Sequence, residues 1–186
     1  MRAHLPRLGH ALHQLLCARR TAALATLGVD GGAPGVSLVP FAIDPVGDGA
    51  PVFVLHVSAL AAHTAQLQAH PRAALLISAP EMPGTPVHDL ARVAIDVVVH
   101  TPERDSPAAR SAQAAYTQRF PDAAFMTELP DFRFVTLAPT GARQIAGFGS
   151  ARSVGAEELA QILALGTPGS DGAPAPAAPD GPAGAT

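Results

Sequence analysis

The residues best spaced for chemistry lie in the run HVSALAAHTAQLQAHPRAALLI at positions 56–77. Ser58 opens a turn, and His63 and Thr64 sit in the short helix that the turn begins. Pro71 and Arg72 then launch the next strand. Hydroxyls, backbone N–H groups and a titratable basic side chain gathered at a helix N-terminus suit a phosphate, because unpaired amides and the helix dipole both favour negative charge there. The plainer use of the same residues is Ser58 as a helix cap and His63 in solvent. His56, His63 and His70 recur every seven residues, yet they fall on a strand end, a helix and a turn. With no HxH, HxxxH or HExxH pattern, the sequence predicts no metal site. Asp44 and Asp96 form no acid–base pair, and no Ser/His/Asp order or nucleophile elbow suggests a hydrolase. The sequence therefore reads as an anion-binding fold with no evident catalytic acid or base.

The elements that must hold this seat are legible from periodicity. Leu5, Leu8, Leu12, Leu15 and Leu16 fall near helical spacing, which predicts an amphipathic helix within residues 1–20. Residues 21–29 and 34–43 read as strands joined at Asp30-Gly31-Gly32, a hairpin signal. Strands are expected at 52–57, 72–79 and 91–100, and a helix over 59–69. A second helix runs from Ser106-Pro107 to about Phe120, with serine at the cap and proline in the first turn. Residues 132–138 read as a strand, Pro139-Thr140-Gly141 as a turn, and 142–148 as the returning strand. A last helix covers about 155–165. The segment 166–186 holds Gly, Pro, Ala, Ser, Thr and Asp and no large apolar residue. It cannot bury enough surface to offset its ordering entropy and is expected to be disordered. The expected fold is mainly β with peripheral helices (α+β): a six- to seven-stranded antiparallel split barrel over 21–165.

Composition narrows the function. The 186 residues are 48% apolar and 15% charged, which supplies a core for one domain. A net charge of −3 gives no reason to expect nucleic-acid binding. No apolar run approaches the roughly 20 residues that span a bilayer. Cys17 is the one cysteine, so no intrachain disulfide forms, in keeping with a reducing, cytoplasmic setting.

Four segments in order resemble a known superfamily: TAALATLGVDGGAPGVSLVPFAI (21–43), HVSALAAHTAQLQAHPRAALLI (56–77), YTQRFPDA (116–123) and DFRFVTLAPTGARQIAGFG (131–149). Together they resemble the FMN-binding split β-barrel superfamily that includes pyridoxamine 5′-phosphate oxidase, in its HugZ-type haem-utilisation and CREG-like branch. The resemblance implies an FMN-binding homodimer with the flavin at the subunit interface. It places Ser37 and His63 where the oxidases use an arginine and a lysine on the phosphate, and the backbone of Leu38, Val39 and Pro40 along the flavin edge. With Ser58 and Thr64, these are the expected cofactor-binding residues. Gly147-Phe148-Gly149 would bring an aromatic ring to the flavin or partner subunit, or simply end a strand; Arg143 faces a substrate carboxylate or solvent. Arg152 lies outside this set and would serve as a neutral control. HugZ-type proteins carry a further C-terminal domain with a haem-ligating histidine, whereas no histidine follows His100 here, so a short form is expected. The implied function is a flavin-dependent oxidoreductase that uses FMN or the related deazaflavin. The alternatives are a haem-binding or haem-degrading protein and a non-catalytic dimeric barrel.

Overall fold

The structure, a computed structural model, describes residues 5–166. In chain order it holds α1 (Arg7–Ala18), β1 (Thr21–Leu27), β2 (Pro34–Pro40), β3 (Ala42–Asp44), β4 (Val52–Ser58), α2 (Ala62–Ala69), β5 (Arg72–Ser78), β6 (Arg92–His100), α3 (Pro107–Arg119), β7 (Phe132–Ile145), β8 (Ala151–Gly155) and α4 (Ala156–Leu163). Two 3₁₀ turns, Val87–Asp89 and Pro121–Glu128, fill the connections before β6 and β7. The expected tail from residue 167 onward lies outside the described residues.

All strand pairs are antiparallel, in the order β2-β1-β5-β6-β7-β4-β3, with β8 added to β7. The two ends of that order, β2 and β3, are successive parts of one chain segment that bends at Phe41. The first part pairs with β1 and the second with β4, so the bend curls the sheet into a barrel. This is the α+β split barrel that the sequence predicts. Along β1, alternate residues turn inward, and Ala22 and Leu24 are buried; β4 to β7 contribute Phe53, Leu55, Leu75, Ile77, Ile95 and Leu137 to the same interior. Phe41 and Phe53 meet edge to face at 5.8 Å, a favoured aromatic geometry. Leu12 and Leu16 of α1 and Leu159, Ile162 and Leu163 of α4 complete that core. A second, smaller cluster lies outside the barrel, where Ala112, Tyr116 and Phe120 pack on Ala42, Val52 and Val54.

The hairpin at Asp30-Gly31-Gly32 forms as expected. Gly31 takes a positive φ of 75°, and the Asp30 carboxylate accepts from the Gly32 amide. The expected turn at Pro139-Thr140-Gly141 does not form. Phe132–Ile145 is one 14-residue strand. Its partner β6 continues alongside throughout, and the register skips Thr140 between Pro139 and Gly141. The turn residues are absorbed as a bulge, a position at which a strand tolerates proline. The reversal comes later, at Ala146–Ser150, where Gly147 and Gly149 have positive φ. It delivers β8, which the sequence reading missed.

Candidate functional site

Four of the seven expected cofactor residues form two pairs, and the elements explain each pairing. Ser37 lies on β2 and His63 in the first turn of α2, and their side chains meet at 3.1 Å (His63 Nδ1 to Ser37 Oγ). One further contact and one clearance fix α2 at this place. Gln66, one turn beyond His63, accepts from the Thr26 hydroxyl at 2.6 Å. Gly35, two residues before Ser37, leaves room for them: a Cβ there would lie 2.8 Å from Gln66 Oε1 and 2.9 Å from Thr26 Oγ1. The absence of a side chain at position 35 lets the helix approach the strand closely enough for the Ser37–His63 contact.

Ser58 and Thr64 form the second pair, through the backbone. The Thr64 hydroxyl is buried and donates to the Ser58 carbonyl at 2.6 Å, which commits its proton. Ser58 Oγ donates to Asp131 Oδ2 at 3.1 Å and accepts from the Leu60 amide. Ser58 therefore shapes the turn before α2 and is not its cap; α2 is preceded by Ala61 and has no side-chain cap. The Thr64 amide donates to the Ala61 carbonyl at 2.9 Å, which leaves the Ala62 and His63 amides of the first turn as donors. Val39 is buried in the core, whereas Leu38 and Pro40 face outward. Because β2 ends the sheet order, backbone groups along its free edge have no ladder partner.

The electrostatics of this seat are mild. Burial pushes the His63 imidazole below the ordinary histidine range, because a cation leaving water loses hydration. His63 is thus neutral at pH 7 and able to accept or donate through a single proton. Two arginines near the end of α1 and of α3 are engaged elsewhere. Arg20 stacks its guanidinium 4.8 Å over the Phe120 ring. Arg119, which the sequence reading did not single out, donates to the carbonyls of Leu16, Cys17 and Arg19 at the C-terminus of α1. Phe148 is 82% exposed at the tip of the β7–β8 reversal. Asp131, Thr26, Gln66 and Gly35 were also missed. Their roles rest on contacts between segments remote in sequence, and no local pattern marks them.

Asp44 is buried and structural: its carboxylate accepts from the Val46 and Gly47 amides and from Ser111 Oγ. Asp96 is exposed at the bulge. Among the described residues, no group of three or more His, Cys, Asp or Glu side chains is placed to hold a metal ion, and no helix is long and apolar enough to cross a membrane.

Comparison with known proteins places this geometry. The family model described as pyridoxamine 5′-phosphate oxidase matches residues 8–146. A structure described as a haem-binding protein from Mycobacterium smegmatis is 30% identical with a TM-score of 0.71, covering 85% of this chain and 62% of that one. HutZ of Vibrio cholerae, described as a haem storage protein, is 26% identical with a TM-score of 0.65, covering 74% of this chain and 94% of that one. The non-canonical haem oxygenase HOZ, chloroplastic, of Arabidopsis thaliana is 35% identical over 126 residues, which is 64% of this chain and 34% of that protein. The chain thus spans about a third of HOZ and under two thirds of the mycobacterial protein. With its barrel closed at Phe41 and a match over most of the described residues, this chain belongs to the pyridoxamine 5′-phosphate oxidase family, in the split-barrel HugZ-type branch.

Proposed function

We propose that the chain is an FMN-binding flavoprotein that acts as an oxidoreductase in the cytoplasm. The observation that carries this reading is the 3.1 Å contact between Ser37 and His63: two residues 26 apart in sequence converge where the family resemblance calls for phosphate ligands. The donor set fits a phosphate. It comprises one hydroxyl, one imidazole and the amides of Ala62 and His63 at the uncapped start of α2. The free edge of β2 at Leu38, Val39 and Pro40 would offer backbone groups to the flavin edge. Ser58 and Thr64 would fix the turn that aims α2 at the phosphate. FMN supplies the redox chemistry when bound, while the protein supplies binding, orientation and hydrogen bonds. A second copy of the chain is expected to complete the site.

The test is an absorbance spectrum of the purified protein, repeated after FMN addition and desalting. Retained flavin bands support the reading; a colourless protein that retains no FMN sinks it. A second reading is haem binding, and it draws on relatives described as haem proteins and on His63 itself. A neutral, half-buried imidazole is the form of histidine that ligates iron. Haemin titration distinguishes it: a saturable Soret shift that disappears in His63→Ala supports haem at this seat, and nonspecific absorbance alone counts against it.

A further inference from the structure

A cavity lies elsewhere, between α3 and the outer face of β4 and β7. It encloses about 340 Å³, at the small end of the range of roughly 300–1000 Å³ typical of ligand sites. Its floor is aromatic. The His56 ring lies 4.9 Å from Phe132 and 4.5 Å from Phe134, tilted by 31° to each. Burial pushes the His56 imidazole below the ordinary histidine range, so at pH 7 it is neutral and stacks as an aromatic. Its ring nitrogens make no hydrogen bond to another described residue.

The rim is cationic. Arg104, Arg110 and Arg133 line the cavity, and Asp105 is the one acidic residue among its walls. Three positive charges against one negative leave an excess of two. Arg110 donates to the Asp105 carbonyl and Arg104 to the Pro130 carbonyl, which anchors both guanidinium groups through backbone acceptors. Each keeps most of its five N–H donors unused. The sole ion pair among the described residues is Arg152–Glu158, so none of these three arginines is neutralised by a carboxylate. Asp105 adopts a positive φ of 64° just before Ser106, whose hydroxyl caps α3. That kink brings the loop carrying Arg104 against the start of the helix carrying Arg110.

We propose that this cavity binds a small planar aromatic dianion, its ring lying on the His56–Phe132–Phe134 floor and its charges met by Arg104, Arg110 and Arg133. The floor supplies stacking area. The arginines supply planar, charge-assisted donors matched to carboxylate or phosphate oxygens. None of the residues proposed for the FMN phosphate lines this cavity, so the two sites stand or fall separately.

Isothermal titration with phthalate tests the proposal, with succinate as a dianion lacking a ring and benzoate as a ring with one charge. The expected result is saturable phthalate binding, weakened about tenfold or more for either comparison ligand and in the R104Q/R110Q double variant. Both arginines are exposed, so the variant should fold, and R7Q, exposed on α1, should bind as the parent does. Saturation should also shift the His56 ring proton resonances, and the shift should vanish in the double variant. No saturable phthalate binding, equal binding of succinate, or undiminished binding in R104Q/R110Q would each overturn the assignment.

Discussion

At His63 the difference between a lysine and an imidazole becomes a pH dependence. Burial lowers its pKa, so the folded protein binds fewer protons there than the unfolded chain does. Where the unfolded state binds more protons, stability rises with pH. The contribution of His63, and of His56 by the same cause, is therefore complete above the unfolded value of about 6.5 and is lost as pH falls below it. Urea midpoints measured across this window should decline towards acid, and His63→Gln should flatten part of the decline. Phosphate binding reverses the local balance. A dianion beside His63 raises its pKa, so binding takes up a proton and FMN affinity should increase as pH falls from about 8 to 6.5, where the phosphate remains largely dianionic. Flavin fluorescence titrations should show this slope in the parent and none in His63→Gln. At neutral pH, Ser37→Ala and His63→Ala should each weaken FMN by about tenfold, the loss expected of one hydrogen bond to a charged group. Gln118→Ala, on the exposed face of α3, should leave affinity unchanged; equal losses in all three would refute the site.

Among the elements, the helices at the barrel end depend on a polar staple that sequence spacing does not reveal. Arg152 on β8 donates to Gln144 on β7 at 2.7 Å and to Glu158 on α4 at 2.9 Å, while Gln144 donates to the Leu8 carbonyl of α1. Four elements meet at one arginine, which is consequently no neutral control. Arg152→Ala would leave Gln144, itself buried, and Glu158 without their partner. Thermal or denaturant unfolding should register a loss of about 2–3 kcal/mol, with FMN affinity little changed if the helices stay docked. The strands and helices themselves were readable because their periodicity is a property of neighbours: the Asp30–Gly32 hairpin, the Ser106 cap and the apolar alternation of β1 all follow from local rules. Pro139-Thr140-Gly141 shows where local rules fail. The same three residues that turn an isolated chain become a bulge when β6 supplies a ladder on both sides of them. The site divides in the same way. Ser58, His63 and Thr64 stood out by their spacing and Ser37 by family resemblance. Gly35, Gln66, Thr26 and Asp131, which place them, became visible only when remote strands were brought together.

For the whole molecule, the open question is what covers the outer face of β2-β1-β5-β6. Strand register lines Leu38, Ala23, Leu76 and Ala94 in one row across these strands, and Val36, Ala25, Ala74 and, at its far margin, the exposed Asp96 in the next. Val36 is 73% and Leu38 76% exposed. No helix among the described residues shields this face: α1, α2 and α4 contribute to the interior core, and α3 packs on β3, β4 and β7. Apolar residues set on a flat floor of alanines are ill suited to water and well suited to the close approach of another sheet. Ser37 lies between Val36 and Leu38, so a second copy seated here would come close to the phosphate seat. That is the homodimer, with shared flavin, that the family resemblance implies. We therefore expect a concentration-dependent dimer in analytical ultracentrifugation. Leu38→Glu combined with Leu76→Glu should return it to monomer, because like charges brought face to face in a self-complementary interface repel. Both side chains are exposed in the single chain, so circular dichroism and the unfolding midpoint should change little. FMN retention should fall with the dimer if the partner completes the site. A monomeric double variant that binds FMN as tightly as the parent would assign the whole flavin site to one chain. A parent protein that stays monomeric at every concentration would remove the interface altogether.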